Sequence, residues 1–162
     1  MAKTKRRFPY EEAKIIARRI LETSNNHKIS IGIFGSYIRK EEDIGDLDVL
    51  AFEEDCDTIR KLLQKEPFFS LIDLYCIPNE YHDSWETFAL YLTGSGAFNI
   101  WMRSLARNKG YLLNQYGLFK RDSGKLISTK EVEIFNLLGV DYIAPELRSE
   151  KYNREWKKYL KK

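Results

Sequence analysis

Three aspartates and one glycine-serine turn hold the residues whose types and spacing suit chemistry. Asp46 and Asp48 stand two apart in "GDLDVL", so on a strand both carboxylates project from one face while Leu47 and Val49 enter the other. Two carboxylates on one face raise each other's proton affinity unless a cation sits between them. A solvated strand edge accounts well for Glu53, Glu54 and Asp55 at the strand end, but less well for Asp46 and Asp48, which sit among apolar residues behind Gly45. Asp73 lies in the apolar run "LIDLYCI", an expected largely buried strand, where a lone carboxylate is costly without a partner. If that strand lies beside "DLDVL", three carboxylates converge into an oxygen-rich site suited to Mg²⁺.

The turn "GSYIR" precedes the aspartates. Gly35 allows close approach of the backbone to a ligand, and the N–H groups opening a following short helix favour an anion. Ser36 and Arg39 are three apart, so both can face one phosphate. Carboxylates and anion turn together suit a polyphosphate gripped from two sides, with in-line displacement assisted by two metal ions.

The elements that must position these groups change character along the chain. "YEEAKIIARRILETSNN" follows Pro9 and has helical apolar spacing, with Glu11 and Glu12 in its first turn. "KISIGIF", "DLDVLAFE" and "FSLIDLYCIP" read as strands, and "TIRKLLQKE" as a helix between the last two. The second half reads as two helices, "DSWETFALYL" and "GAFNIWMRSLARNKG", the latter closed by Gly110. Short strands follow around an Asp-Ser-Gly turn, then a helix through "STKEVEIFNLLG" with Ser128 and Glu131 at capping-box spacing. The expected class is an α/β lobe with a mixed sheet and flanking helices, followed by a small α+β lobe of helices and short antiparallel strands. The expected boundaries are residues 1–84, 85–150 and a basic tail, 151–162, frayed or amphipathic.

Composition narrows the function classes. With 162 residues, 43% of them hydrophobic, the chain is globular material. No apolar run approaches the roughly 18 residues needed to span a membrane, and "MAKTKRRFPYEE" has no apolar signal core. The expected setting is intracellular, with Cys56 and Cys76 as reduced core thiols. Residues 1–84 carry 13 Lys/Arg against 16 Asp/Glu, and residues 85–162 carry 14 against 8. An acidic lobe joined to a basic one suggests cations in front and a polyanion behind.

"GSYIRKEEDIGDLDVL" resembles the catalytic signature of the DNA polymerase beta nucleotidyltransferase superfamily. The passage "IDLYCIPNEYHDSWETFALYLTGSGAFNIWMRSLARNKGYLLNQYGLF" is similar to the palm-to-thumb passage of the family X DNA polymerases. "EIFNLLGVDYIAPELR" resembles the close of that family's thumb, and "RRFPYEEA" its short lead into the palm. The likeness runs over residues 6 to 148, roughly.

This resemblance implies a nucleotidyltransferase palm and a thumb that add dNMP from dNTP to a DNA primer 3′-hydroxyl, with short-gap filling in repair as the setting. It implies two Mg²⁺ ions, with Mn²⁺ as a substitute, on Asp46, Asp48 and Asp73, the last also helping to deprotonate the primer hydroxyl. Ser36 and Arg39, with Gly35 and Gly45 shaping the loops and Arg7 nearby, would hold the triphosphate. Tyr91 and Gly94 would sit by the incoming sugar. Asn99 and Arg103 would contact the minor-groove edge of the nascent pair, with Tyr116 behind them. The helical stripe of Phe98, Met102 and Leu105 leaves Asn99, Arg103 and Arg107 on another face, where Arg107 joins the DNA-facing set. The implied partners are a primer-template or gapped duplex and dNTP, with no membrane; a repair partner protein is left unspecified.

Departures from the family pattern accompany the match. No N-terminal lyase and DNA-binding domain is legible. Leu71 stands where an arginine is common, Gly96 where an acidic residue is common, and Ile44 where a small polar residue is common. The tail cations Lys151, Arg154, Lys157, Lys158, Lys161 and Lys162 offer a salt-sensitive phosphate grip. The alternatives are an untemplated or RNA-directed nucleotidyltransferase on the same palm, or a non-catalytic DNA-binding scaffold.

Overall fold

The computed structural model describes residues 7–162, which form two compact units divided between Glu80 and Tyr81.

In unit 1, strand β1 (Phe8–Pro9) pairs antiparallel with β3 (Asp43–Ile44). Helix α1 (Tyr10–Asn26) starts at Pro9, with Glu11 and Glu12 in its first turn, and buries Ala13, Ile16, Ala17 and Ile20. The main sheet has the order β2 (Ile31–Phe34), β4 (Leu47–Phe52), β5 (Ile72–Ile77). β2 runs antiparallel to β4, and β5 parallel to it, so the sheet is mixed. A parallel pair needs a crossover, supplied here by helix α2 (Glu53–Leu63). Leu47, Val49 and Ala51 alternate into the core with Ile59 and Leu63 of α2.

Four local expectations change in unit 1. α2 begins at Glu53, so Glu53, Glu54 and Asp55 are its first turn, where carboxylates meet the positive end of the helix dipole. β5 is an edge strand, so of its six residues only Ile77 is fully buried. Residues 35–40 are hydrogen-bonded turns and not a short helix. Cys56 and Cys76 are joined as a disulfide between α2 and β5, not held as separate thiols.

Unit 2 holds α3 (Trp85–Thr93), α4 (Gly96–Asn108), an antiparallel sheet of β6 (Tyr111–Asn114), β7 (Gly117–Lys120) and β8 (Leu126–Ser128), and α5 (Glu131–Leu137). Its core gathers Phe98, Met102, Ala106, Leu113, Leu118, Ile134, Phe135 and Trp156. The capping box expected at Ser128 does not form. Ser128 Oγ accepts from the Lys130 N–H at 3.1 Å, while the Glu131 N–H donates to Glu86 Oε1 of α3 at 3.1 Å. A carboxylate 45 residues away thus satisfies a helix-start donor that local sequence was expected to satisfy.

The end of the chain is neither frayed nor α-helical. It forms 3-10 turns at Pro145–Arg148, Glu150–Tyr152 and Trp156–Tyr159. Val140 and Leu160 form an antiparallel bridge, and Lys161 N–H donates to Gly139 C=O at 2.8 Å. No helix among the described residues is long and apolar enough to cross a membrane.

Candidate active site and nucleotide-binding residues

In unit 1 the carboxylates are organised by strand register. Asp48 of β4 is the register partner of Asp73 of β5, and residues opposite each other on neighbouring strands present side chains to the same face. On its other side Asp48 is the register partner of Phe34, the last residue before the Gly35 turn. Asp46 stands just ahead of β4, in the connection from β3.

Gly35 has φ 75°, the left-handed region that glycine adopts at no steric cost. A Cβ built on it would lie 3.2 Å from Cγ and 3.6 Å from Cβ of Asp48, and closer still to Oδ2. The Asp48 carboxylate therefore occupies the space that any larger residue at position 35 would fill. Glycine here makes room for the acid as well as bending the chain.

The turn itself is closed by backbone bonds from Arg39 N–H to Gly35 C=O and from Glu41 N–H to Ser36 C=O, each 3.2 Å. The Arg39 guanidinium is largely buried and pairs with the Glu41 carboxylate, a partner that the sequence pattern did not single out. Arg7 donates from Nη2 to the Asp43 C=O at 2.8 Å, and its Nη1 is 3.4 Å from where a Cβ on Gly45 would stand. Arg7 and Gly45 thus meet at the loop leading into Asp46 and Asp48, whereas Ser36 and Arg39 belong to the turn beside Asp48.

Hard carboxylate oxygens on paired strands are the donor type that Mg²⁺ takes, and Gly35 leaves the Asp48 carboxylate its place. Among the described residues, no group of three or more His, Cys, Asp and Glu side chains closes into a metal-holding cluster. Of the three carboxylates expected to converge, strand register sets Asp48 beside Asp73, while Asp46 lies just ahead of β4, outside the paired strands.

In unit 2 the expected residues are knit by side-chain contacts. Asn99 Nδ2 donates to the Tyr91 C=O at 2.9 Å, and the Arg103 guanidinium lies 5.5 Å over the Tyr91 ring. One turn apart on α4, these two side chains grip the end of α3 from two directions. Phe88 meets Tyr91 edge-on at 6.1 Å and Tyr116 at 6.0 Å, and Tyr81 stacks on Tyr116 at 3.9 Å. A row from Arg103 through Tyr91, Phe88 and Tyr116 to Tyr81 results. Phe88 and Tyr81 were not anticipated; their only sequence signal is aromatic character. Arg107 is exposed one turn beyond Arg103.

Gly94 ends α3 with φ 62°. Ser95 then starts α4, its Oγ accepting from the Phe98 N–H at 3.3 Å and donating to the Arg148 C=O at 2.7 Å. Arg148 is itself wholly buried. Its Nε donates to the Ile143 C=O at 2.9 Å, its Nη2 pairs with Glu131 Oε1 at 3.3 Å, and its guanidinium lies over Phe98, Phe135 and Tyr142. Partial burial raises the Tyr142 phenol above its ordinary value, Glu131 adds to this, and Arg148 opposes it.

Residues 88–149 match the family described as DNA polymerase beta thumb. Over 69 residues, 43% of this chain, it is 45% identical to DNA polymerase IV of Saccharomyces cerevisiae. Over residues 88–149 the chain is thus similar to the thumb of the DNA polymerase beta family. It is also 28% identical, over 88% of its length, to the DNA polymerase/3′-5′ exonuclease PolX of Bacillus subtilis. The chain spans 11% of the length of the first relative and 28% of the second. Among solved structures, Leishmania infantum polymerase beta, in a ternary P/T complex, shares the fold with a TM-score of 0.71 at 22% identity, covering 89% of this chain and 77% of that one. The mixed α/β architecture with small antiparallel strands is thus the polymerase beta type, as the sequence led us to expect.

Proposed function

We propose that this chain is a family X, DNA-directed DNA polymerase that adds dNMP from dNTP to a DNA primer 3′-hydroxyl, releasing pyrophosphate, in short-gap filling during repair. The observation that carries this reading is Asp48 seated against Gly35 as the register partner of Asp73, on a chain whose residues 88–149 match a polymerase beta thumb. In this reading residues 1–84 act as the palm, 85–150 as the thumb, and 151–162 as a basic accessory segment.

Asp46, Asp48 and Asp73 would hold two Mg²⁺ ions, with Mn²⁺ as a substitute. When bound, the ions supply charge neutralisation at the triphosphate and at the reacting oxygens. The chain's own groups do the rest. The Asp73 carboxylate accepts the proton of the primer 3′-hydroxyl, whose oxygen forms a bond to the α-phosphorus as the bond to the β-phosphate oxygen breaks. Ser36 Oγ donates to the departing phosphates. Arg39 exchanges the Glu41 carboxylate for phosphate oxygens, a swap between two charge-assisted partners. Arg7 joins them from the Asp43–Gly45 loop.

In unit 2, Tyr91 and Gly94 would border the incoming sugar. Asn99 and Arg103 would meet the minor-groove edge of the nascent pair, with Tyr116 behind and Arg107 toward the DNA. The contacts of Asn99 and Arg103 with Tyr91 support this reading, because they tie a sugar-facing residue to two base-edge-facing ones.

The test is primer extension on a one-nucleotide gap with all four dNTPs and Mg²⁺. Asp48→Ala and Asp73→Ala are each expected to slow incorporation by at least about 10³-fold with DNA binding retained. Unchanged incorporation by either variant sinks the carboxylate assignment. Equal extension of an untemplated single strand would turn the reading toward an untemplated transferase.

A further inference from the structure

The last twelve residues carry six Lys/Arg against one acid, Glu155. Their turns, with Leu147, border a half-open cavity of about 420 Å³ lined by Leu147, Tyr152, Glu155, Trp156, Lys158 and Tyr159. Trp156 is almost wholly buried, donates from Nε1 to the Leu147 C=O at 2.8 Å, and packs edge-on against Phe98 at 5.2 Å and tilted against Trp101 at 5.8 Å. Tyr152 and Tyr159 form half-buried walls, with the Lys151 ammonium 5.2 Å over the Tyr152 ring. At the rim Lys158 pairs with Glu155.

Three aromatic side chains and a leucine around a space of this size suit one flat, apolar-faced group. Lys158 in the lining and Lys151 over the Tyr152 ring, within a segment of six cations and one acid, suit negative charge beside that group. A planar ring carried on an anionic chain meets both demands, and an unpaired nucleotide is such an object. Glu155 adds an acceptor for an exocyclic amine at the ring edge. A basic or purely aliphatic peptide would satisfy neither the cationic rim nor the aromatic walls.

We propose that this C-terminal cavity binds one unpaired nucleobase of a single-stranded nucleic acid, with the flanking phosphates on Lys151 and Lys158. The site needs none of the palm carboxylates, so it stands apart from the polymerase reading. Stacking supplies the preference for a base, and the lysines supply salt-sensitive affinity for the strand.

The full chain is titrated into a dye-labelled oligodeoxycytidylate and into an abasic strand of the same length and charge, with anisotropy as the readout. The base-bearing strand is expected to bind about tenfold more tightly. The Tyr152→Leu/Tyr159→Leu double variant is expected to bind both strands alike with an unchanged salt slope, and Tyr152→Phe/Tyr159→Phe to keep the preference. Thermal melting of each variant checks that unit 2 remains folded, and a double variant that melts early is replaced by Tyr152→Leu alone. Equal binding of the two strands by the unmodified chain overturns the proposal. So does a folded leucine variant that keeps the full preference, or self-association that blocks strand binding. Asp48→Ala is expected to abolish gap filling and leave the base preference intact, so the two readings fail separately.

Discussion

The two units hold their candidate site residues by different means. In unit 1 the backbone does it: strand register sets Asp48 opposite Asp73, and a left-handed Gly35 clears the space that the Asp48 carboxylate occupies. In unit 2 side chains do it: Asn99 and Arg103 converge on Tyr91, and an aromatic row extends the contact to Tyr116 and Tyr81. A backbone-built site is sensitive to changes of one or two atoms at a single position. A side-chain-built site rests on the helix junction beneath it, which Ser95 and the buried Arg148 hold.

The comparison can be broken most forcefully at Arg148. Arg148→Ala leaves Glu131 without its cation, the Ile143 carbonyl without its donor, and a gap among three rings. Loss of such a buried ion-pair partner costs about 3–5 kcal/mol, expected as a large fall in the denaturation midpoint of unit 2. A shift below about 0.5 kcal/mol would show that the helix junction does not depend on it.

Gly35→Ala is the corresponding blow to unit 1. The methyl meets the Asp48 carboxylate in a backbone conformation that already costs an L-residue about 1–3 kcal/mol. Gap filling is expected to fall by at least about 10²-fold, because the displaced group is itself proposed to be catalytic. Full activity in Gly35→Ala would mean that the carboxylate position is not set by the turn.

Gly96→Asp sharpens the contrast by asking for a gain. A Cβ at Gly96 meets nothing within 4 Å, and position 96 begins α4. A carboxylate there is expected to raise stability by about 0.3–1 kcal/mol through the helix dipole, and more by replacing glycine. Thermal melting reads it directly; a loss of stability contradicts the open space.

The smallest effect near neutral pH concerns one tyrosine in each unit. Tyr37 is raised by burial and then by Tyr10, and Tyr142 by burial and then by Glu131. Each phenol holds its proton more tightly folded than unfolded. Their contribution is therefore intact below the ordinary value of 10.0 and is lost as pH rises through the raised folded values. Stability measured against pH should be level on this account up to about pH 10 and decline above it, with Tyr37→Phe and Tyr142→Phe each flattening part of the decline.

Short-range pattern made much of this legible. Alternation in "DLDVL" put Asp48 opposite to Val49, and helical spacing put Asn99 and Arg103 on one face away from Phe98 and Met102. Other features escaped the sequence because each depends on a partner far along the chain. β5 reads as a buried strand by composition, yet its position at the sheet edge leaves most of it half exposed. Ser128 and Glu131 have capping-box spacing, yet Glu86 reaches the helix start first.

By itself the sequence determined the order of the longer helices and strands and the faces of Asp48, Asn99 and Arg103, because periodicity is a property of neighbours within a few residues. Only the tertiary structure decided that Arg39 is held by Glu41, that Cys56 meets Cys76, and that the basic end folds around Trp156 instead of trailing from the molecule. Local pattern cannot choose among partners that are equally suitable in chemistry; burial and chain closure make that choice as each unit folds.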